Sequence, residues 1–292
     1  MSSPNRSGIR NTHFYDATSP KVPLGGFYQG GSITEANFLS ILGILIVTVG
    51  KPVRAQARVS GHIVTESEMP LALGDYDIYC DDPIQVTNEP WVQRLSSHSA
   101  AAMGTRFEHE IRTRDRKCVI SGWSNSDIRL EIWAGFDATY IVPPEHESLW
   151  TQPDNDQWIK NIDNVTRSLK INSAKNGFLL NSAAHEMFNQ YLIAVNPDDG
   201  YKIIVFCPDP FRYDGRILDP ACRNPADPNS VSDQLLRWHF RQSILANMRG
   251  VGEPIFEHDF PPGTDMMDEI LAGPNGKQRF EFEMAARLRV VA

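Results

Sequence analysis

The reading of residues 118–191 decides the fold. The segment opens on Cys118-Val119-Ile120-Ser121-Gly122 and passes through Ala138-Thr139-Tyr140-Ile141-Val142-Pro143. It closes on Asn176-Gly177-Phe178-Leu179-Leu180, then His185-Glu186-Met187-Phe188-Asn189. Short apolar runs bounded by Gly and Pro read as strands, and an Asn-Gly pair reads as a loop. The first strand is therefore expected at residues 118–122 and the second at 131–142, where Pro143-Pro144 stops it. His185 and Phe188 stand one helical turn apart. Two strands, an Asn-Gly loop and a helix with an inward histidine make a ββα unit, whose polar groups meet in a cleft between hairpin and helix.

Outward from this unit the chain reads as α+β. Met103, Phe107 and Ile111 recur every four residues and predict a helix over 100–114. Asn88-Glu89-Pro90-Trp91 marks a boundary, which divides a mostly-β region (1–90) from a larger domain (91–292). Within the first region His13-Phe14-Tyr15-Asp16 and Tyr76-Asp77-Ile78-Tyr79-Cys80 predict strands, and Ser32-Ile33-Thr34-Glu35 predicts a helix start. The β-branched run Ile44-Leu45-Ile46-Val47-Thr48-Val49 predicts a central strand. Beyond the unit lie a long polar connection (144–170) with Trp150 and Trp158 and a strand at 201–206. A helix over 234–248 carries His239 on its apolar face, and a short one covers 279–289.

A chain of 292 residues with 41% apolar and 22% charged residues can bury a full core. Its 28 basic against 36 acidic residues leave a net charge of -8. That balance disfavours nucleic acid as a partner, because phosphate neutralisation dominates such binding. Arg106, Arg112, Arg114, Arg116 and Lys117 form the one basic run, readable as a patch or as a solvated helix face. Cys80, Cys118, Cys207 and Cys222 make no metal-binding or disulfide spacing. The apolar run at 38–49 is too short for a bilayer, which needs about 20 residues. With no apolar leader at the N-terminus, these features predict a reduced, cytoplasmic protein without a membrane span.

From about Arg106 to Gly250 the chain resembles the HNH-endonuclease-like proteins common in fungi. The resemblance lies in Arg114-Asp115-Arg116-Lys117-Cys118-Val119-Ile120-Ser121-Gly122, in the Tyr140 and Asn176 segments, in His185-Glu186-Met187-Phe188-Asn189-Gln190-Tyr191 and in Leu236-Arg237-Trp238-His239-Phe240-Arg241. It extends to the flanks at His13-Phe14-Tyr15-Asp16 and Asn88-Glu89-Pro90-Trp91. It implies a ββα-metal fold in which a strand histidine is general base, an Asn steadies the loop or the base, and a helix histidine binds a divalent metal. Asn176 falls on the Asn position and His185 on the helix-histidine position. Two positions depart from the pattern. Tyr140 replaces the histidine of Ala-His-Ile-x-Pro, and a phenol with a pKa of about 10 is a poor base for water. Asn189 replaces the Asp that follows Phe. One imidazole rarely holds a hard cation, so no metal or other cofactor is expected; Glu145, His146 and Glu147 are the nearest substitutes.

The foremost expectation is therefore a pseudo-nuclease turned to small-molecule chemistry in specialised metabolism. The reaction envisaged is a metal-independent cyclisation of intramolecular Diels–Alder type on an apolar polyene or terpenoid. Tyr140, with Asn176 and His185, would supply the hydrogen-bond donor. Trp123, Trp133, Phe136, Trp150, Phe178 and Phe188 would line the substrate pocket. Two alternatives stand beside it: a metal-dependent nuclease with its base moved to His146, and a non-catalytic binding protein. Each residue also has a structural reading. Tyr140, His185, His239 and the tryptophans can be packed core, and Asn176 can be a turn residue.

Overall fold

The computed structural model describes residues 5–92, 105–144 and 171–252, together with Asp268 and Leu271. The chain divides into two compact units. The first comprises Met1–Trp91, Ile204–Gly215 and Arg241–Met266; the second comprises Val92–Ile203, Arg216–Phe240 and Met267–Ala292. No helix among the described residues is long and apolar enough to cross a membrane.

The first unit is built on a four-stranded sheet. Its strands are β1 (Thr12–Asp16), β2 (Pro23–Phe27), β4 (Arg54–Ala57) and β5 (Gly74–Tyr79), in the order β2-β1-β5-β4. β1 runs parallel to β5, and a parallel pair needs a crossover. Helix α1 (Glu35–Leu45) lies in that connection. Thr34 caps it: its hydroxyl accepts from the Asn37 N–H while Asn37 Oδ1 accepts from the Thr34 N–H. Phe38, Ile41, Leu42 and Leu45 form its fully buried face. Phe38 packs against the rings of Phe14, Phe27 and Tyr76.

The expected central strand at 44–49 is not formed. α1 continues through Leu45, and β3 is only Ile46–Val47, paired with β6 (Gln85–Val86). Val47 is 50% exposed and Val49 87% exposed. The helical spacing of the apolar residues up to Leu45 outweighs the local β propensity, because burying that face stabilises the helix. The strands expected around His13 and Tyr76 are present as β1 and β5.

In the second unit α2 (Thr105–Asp115) precedes β7 (Phe136–Tyr140), β8 (Gly177–Asn181) and α3 (Ser182–Asn189). β7 and β8 pair antiparallel from Phe136↔Asn181 to Tyr140↔Gly177. α3 follows at once, and the Asn181 side chain caps it by accepting from the Ala184 N–H at 2.8 Å. The ββα unit therefore exists, and β7 lies within the second expected strand (131–142), but residues 118–122 are not its partner. Residues 118–122 form a turn: the Cys118 N–H donates to Trp123 O, the Gly122 N–H donates to Cys118 O, and Lys117 bridges Ser124. Gly122, at φ 75°, turns the chain back before a strand can extend. The Asn-Gly pair is no loop either, since Asn176 closes a short 3-10 turn and Gly177 opens β8.

β9 (Ile193–Asn196), which carried no sequence expectation, pairs with β10 (Lys202–Val205). β10 and α4 (Asp233–Met248) match the expected strand and helix, and each contributes residues to both units. The expected helix at 279–289, Met103, and the connection with Trp150 and Trp158 lie outside the described residues.

The hairpin is held on its α2 side by Phe107 and Ile111, which form one core with Ala138, Tyr140, Ala174 and Leu179. Gly177 permits the close approach: a Cβ there would lie 2.5 Å from Phe107 Cζ and 2.6 Å from the Thr139 carbonyl oxygen. The outer edge of β8 is also covered. The Leu179 N–H donates to Asp115 Oδ2 at 2.8 Å, Leu179 O accepts from the Val119 N–H at 3.0 Å, and Gly177 O accepts from Arg114 Nη2 at 2.8 Å. An edge that would otherwise offer open backbone groups is thereby closed.

Candidate functional site

Successive side chains of a strand point to opposite faces. On β7 this places Phe136, Ala138 and Tyr140 with the α2 core. Asp137 and Thr139 take the other face, across from Leu180 and Phe178. That second face meets α3, where Phe178 contacts Phe188 edge-on at 5.0 Å.

His185 projects from α3 onto Asp137, with Nδ1 3.3 Å from Oδ2. The Ser182 hydroxyl donates to the same oxygen at 3.3 Å. The two side chains are 26% and 40% exposed, so the pair sits at the surface. The hydrogen bond from His185 holds the Asp137 carboxyl below the usual carboxylate range; partial burial opposes it, and Ser182 and the charge of Arg112 reinforce it. With Nδ1 engaged by a carboxylate, Nε2 is left as the imidazole nitrogen available for other chemistry. Among the described residues, no group of three or more His, Cys, Asp or Glu side chains stands close enough to hold a metal ion.

Tyr140 does not share this face. Its ring stacks on Phe107, with centroids 3.9 Å apart and planes 6° apart, and is 7% exposed. Its hydroxyl donates to Asn172 Oδ1 at 2.8 Å. Asn176 is fully buried and directed at backbone: Nδ2 donates to Val142 O and Ile171 O, and Oδ1 accepts from the Val142 N–H. It clamps the chain leaving β7 to the turn before β8, which is a positioning role.

The expected lining residues are scattered. Phe178 and Phe188 are fully buried. Phe188 stacks on His239 at 3.6 Å, and His239 Nε2 lies 3.1 Å from Phe188 O, so His239 is a packed core residue. Trp133 and Phe136 pack on the α2 side, with the Arg112 guanidinium over the Trp133 ring. Trp123 is 69% exposed on its turn, and Trp150 lies outside the described residues. The described members thus lie on both faces of the hairpin and on a surface turn.

The basic run is largely spent. Arg106 pairs with Glu110, Arg112 with Glu108, Arg114 with Asp115 and Lys117 with Asp219. Arg114, its side chain 4% exposed, is structural rather than part of a surface patch. Asp115 and Asp137 carried no sequence expectation. Strand alternation alone would have set Asp137 on the face opposite Tyr140; only the fold brings Asp115 to β8.

Two family models match the chain. Residues 9–85 match a family described as a domain of unknown function, and residues 118–196 match the HNH endonuclease family. No curated protein and no solved structure matches it. The hairpin, α3 and the Asp137–His185 pair all fall inside the second match, so residues 118–196 are an HNH-endonuclease-like ββα domain.

Proposed function

We propose that this domain is a degenerate HNH unit, a ligand-binding scaffold that no longer hydrolyses phosphodiesters. The observation that carries the reading is the place of Tyr140. It stands at the position where the resembled pattern has its general base, yet it packs on the α2 face, stacked on Phe107, while His185 meets Asp137 on the other. Hydrolysis needs a group to deprotonate water and a cation to stabilise the leaving oxygen. Among the described residues a single imidazole, His185, would have to serve as base or as metal ligand, and no group of three or more ligating side chains stands together. Asn189 in place of Asp, and arginines already paired with acids, support the same reading. A metal-independent cyclase draws less support, because the Tyr140 hydroxyl is already committed to Asn172 and Phe178 and Phe188 are core.

One observation favours a second reading, a divalent-metal-dependent nuclease with its base moved to His146. Asp137 holds His185 Nδ1 as carboxylates hold the histidines that bind metals. One assay separates the two. Purified protein is incubated with supercoiled plasmid and with single-stranded DNA in magnesium, manganese or zinc. The scaffold reading expects intact DNA in every case. Nicking that disappears in both His185→Ala and His146→Ala establishes the nuclease instead.

A further inference from the structure

A cleft of about 900 Å³ opens between α2 and the loop of residues 220–229, and neither His185 nor Asp137 lines it. Its shape is held in advance. Arg114 Nη1 donates to Asn229 O at 2.7 Å, and Asp227 Oδ1 accepts from the Asn229 N–H at 2.8 Å. A preformed wall lowers the ordering cost of binding.

Two arginines that line this cleft have guanidinium capacity to spare. Arg223 is oriented by Nε, which donates to Leu218 O at 2.9 Å, and by its stacking on Tyr201; its terminal nitrogens have no partner among the described residues. Arg116 follows the end of α2 at φ 58°, a left-handed conformation that helix ends normally give to Gly or Asn. Its side chain makes no hydrogen bond or ion pair among the described residues, unlike every other cation of its run. An arginine in a conformation it disfavours, with its guanidinium unspent, points to a use for the side chain.

We propose that this cleft binds a phosphorylated sugar, free or as part of a mononucleotide. Arg116 and Arg223 take the phosphate, as forked guanidiniums do, with His109 and Thr113 on the same wall as further donors. Glu110 and Asp227, which also line the cleft, accept hydrogen bonds from sugar hydroxyls. The volume exceeds what inorganic phosphate needs and falls within the range of small-molecule sites. The proposal is independent of whether the His185 face has kept any chemistry.

Calorimetric titration of the full chain with a pentose monophosphate, adenosine monophosphate, inorganic phosphate and the unphosphorylated pentose tests it. Saturable binding is expected for both phosphorylated sugars and absent for the bare pentose. Arg116→Gly and Arg223→Gln should each weaken that binding about tenfold or more. Glycine suits the backbone at 116, so a melting temperature at or above that of the parent shows that Arg116→Gly is folded. Arg116→Lys, which keeps the charge but not the fork, should fall between. Absence of saturable binding by either phosphorylated sugar, or unchanged affinity in folded Arg116→Gly, overturns the site. Inorganic phosphate binding as tightly as the sugar phosphates overturns the assignment of the sugar.

Discussion

Tyr140 and His185 occupy opposite faces of one hairpin: Tyr140 stacks on Phe107 of α2, and His185 reaches Asp137 on the α3 side. Because side chains alternate along a strand, the position that would carry the base cannot turn to the histidine's face without a shift of register. Such a shift would also turn Asp137 into the α2 core.

Restoring a histidine at that position should therefore restore nothing. Tyr140→His is expected to leave plasmid DNA intact with every divalent cation and to lower stability through lost ring packing. Tyr140→Phe removes the hydrogen bond to Asn172 and should cost about 1 kcal/mol in urea denaturation. Metal-dependent nicking by Tyr140→His would refute the face assignment.

The Arg114–Asp115 pair closes the edge of β8, and its loss should be severe. Burial pushes the Asp115 carboxyl up, while Arg114 and the Leu179 N–H hold it down. Asp115→Ala strands a buried guanidinium and an unpaired backbone N–H, and should cost about 3–5 kcal/mol. Chemical denaturation measures it; a loss within the error of the method would mean that the edge is held by other contacts.

Gly177 tests the close approach of α2 to the hairpin. Its backbone is extended, at φ -172°, so any residue fits its dihedrals. Its neighbours do not allow one. An alanine methyl would meet the Phe107 ring and the Thr139 carbonyl, and Gly177→Ala should cost about 1–3 kcal/mol by overpacking. Adding Phe107→Leu should relieve only part of this, since the Thr139 contact is with backbone.

The Asp137–His185 contact predicts a pH dependence at the acid end. The folded carboxyl lies below its unfolded value, so its contribution is present above that value and is lost as pH falls through the folded one. The loss falls below about pH 4. With both groups partly exposed, His185→Ala should cost only about 0.2–1 kcal/mol at neutral pH. It should also flatten the acid limb of the melting-temperature profile; an unchanged acid limb would show that the pair does not form in solution.

Local signals determined much of the fold from the sequence alone. Thr34 before an apolar run, the alternation around Tyr76 and the apolar face of α4 act over a few residues, so each element is legible in isolation. The order of the motifs also announced a ββα unit with His185 on its helix. Only the tertiary structure decided which segments pair and which way their side chains point. It replaced residues 118–122 with β8 as the partner of β7, put Tyr140 under α2, and ended the supposed central strand after Val47. These choices rest on contacts such as Asp115 to Leu179, which stand 64 residues apart in the chain. Pairing and facing depend on such distant groups meeting, and no local pattern of residues encodes the meeting.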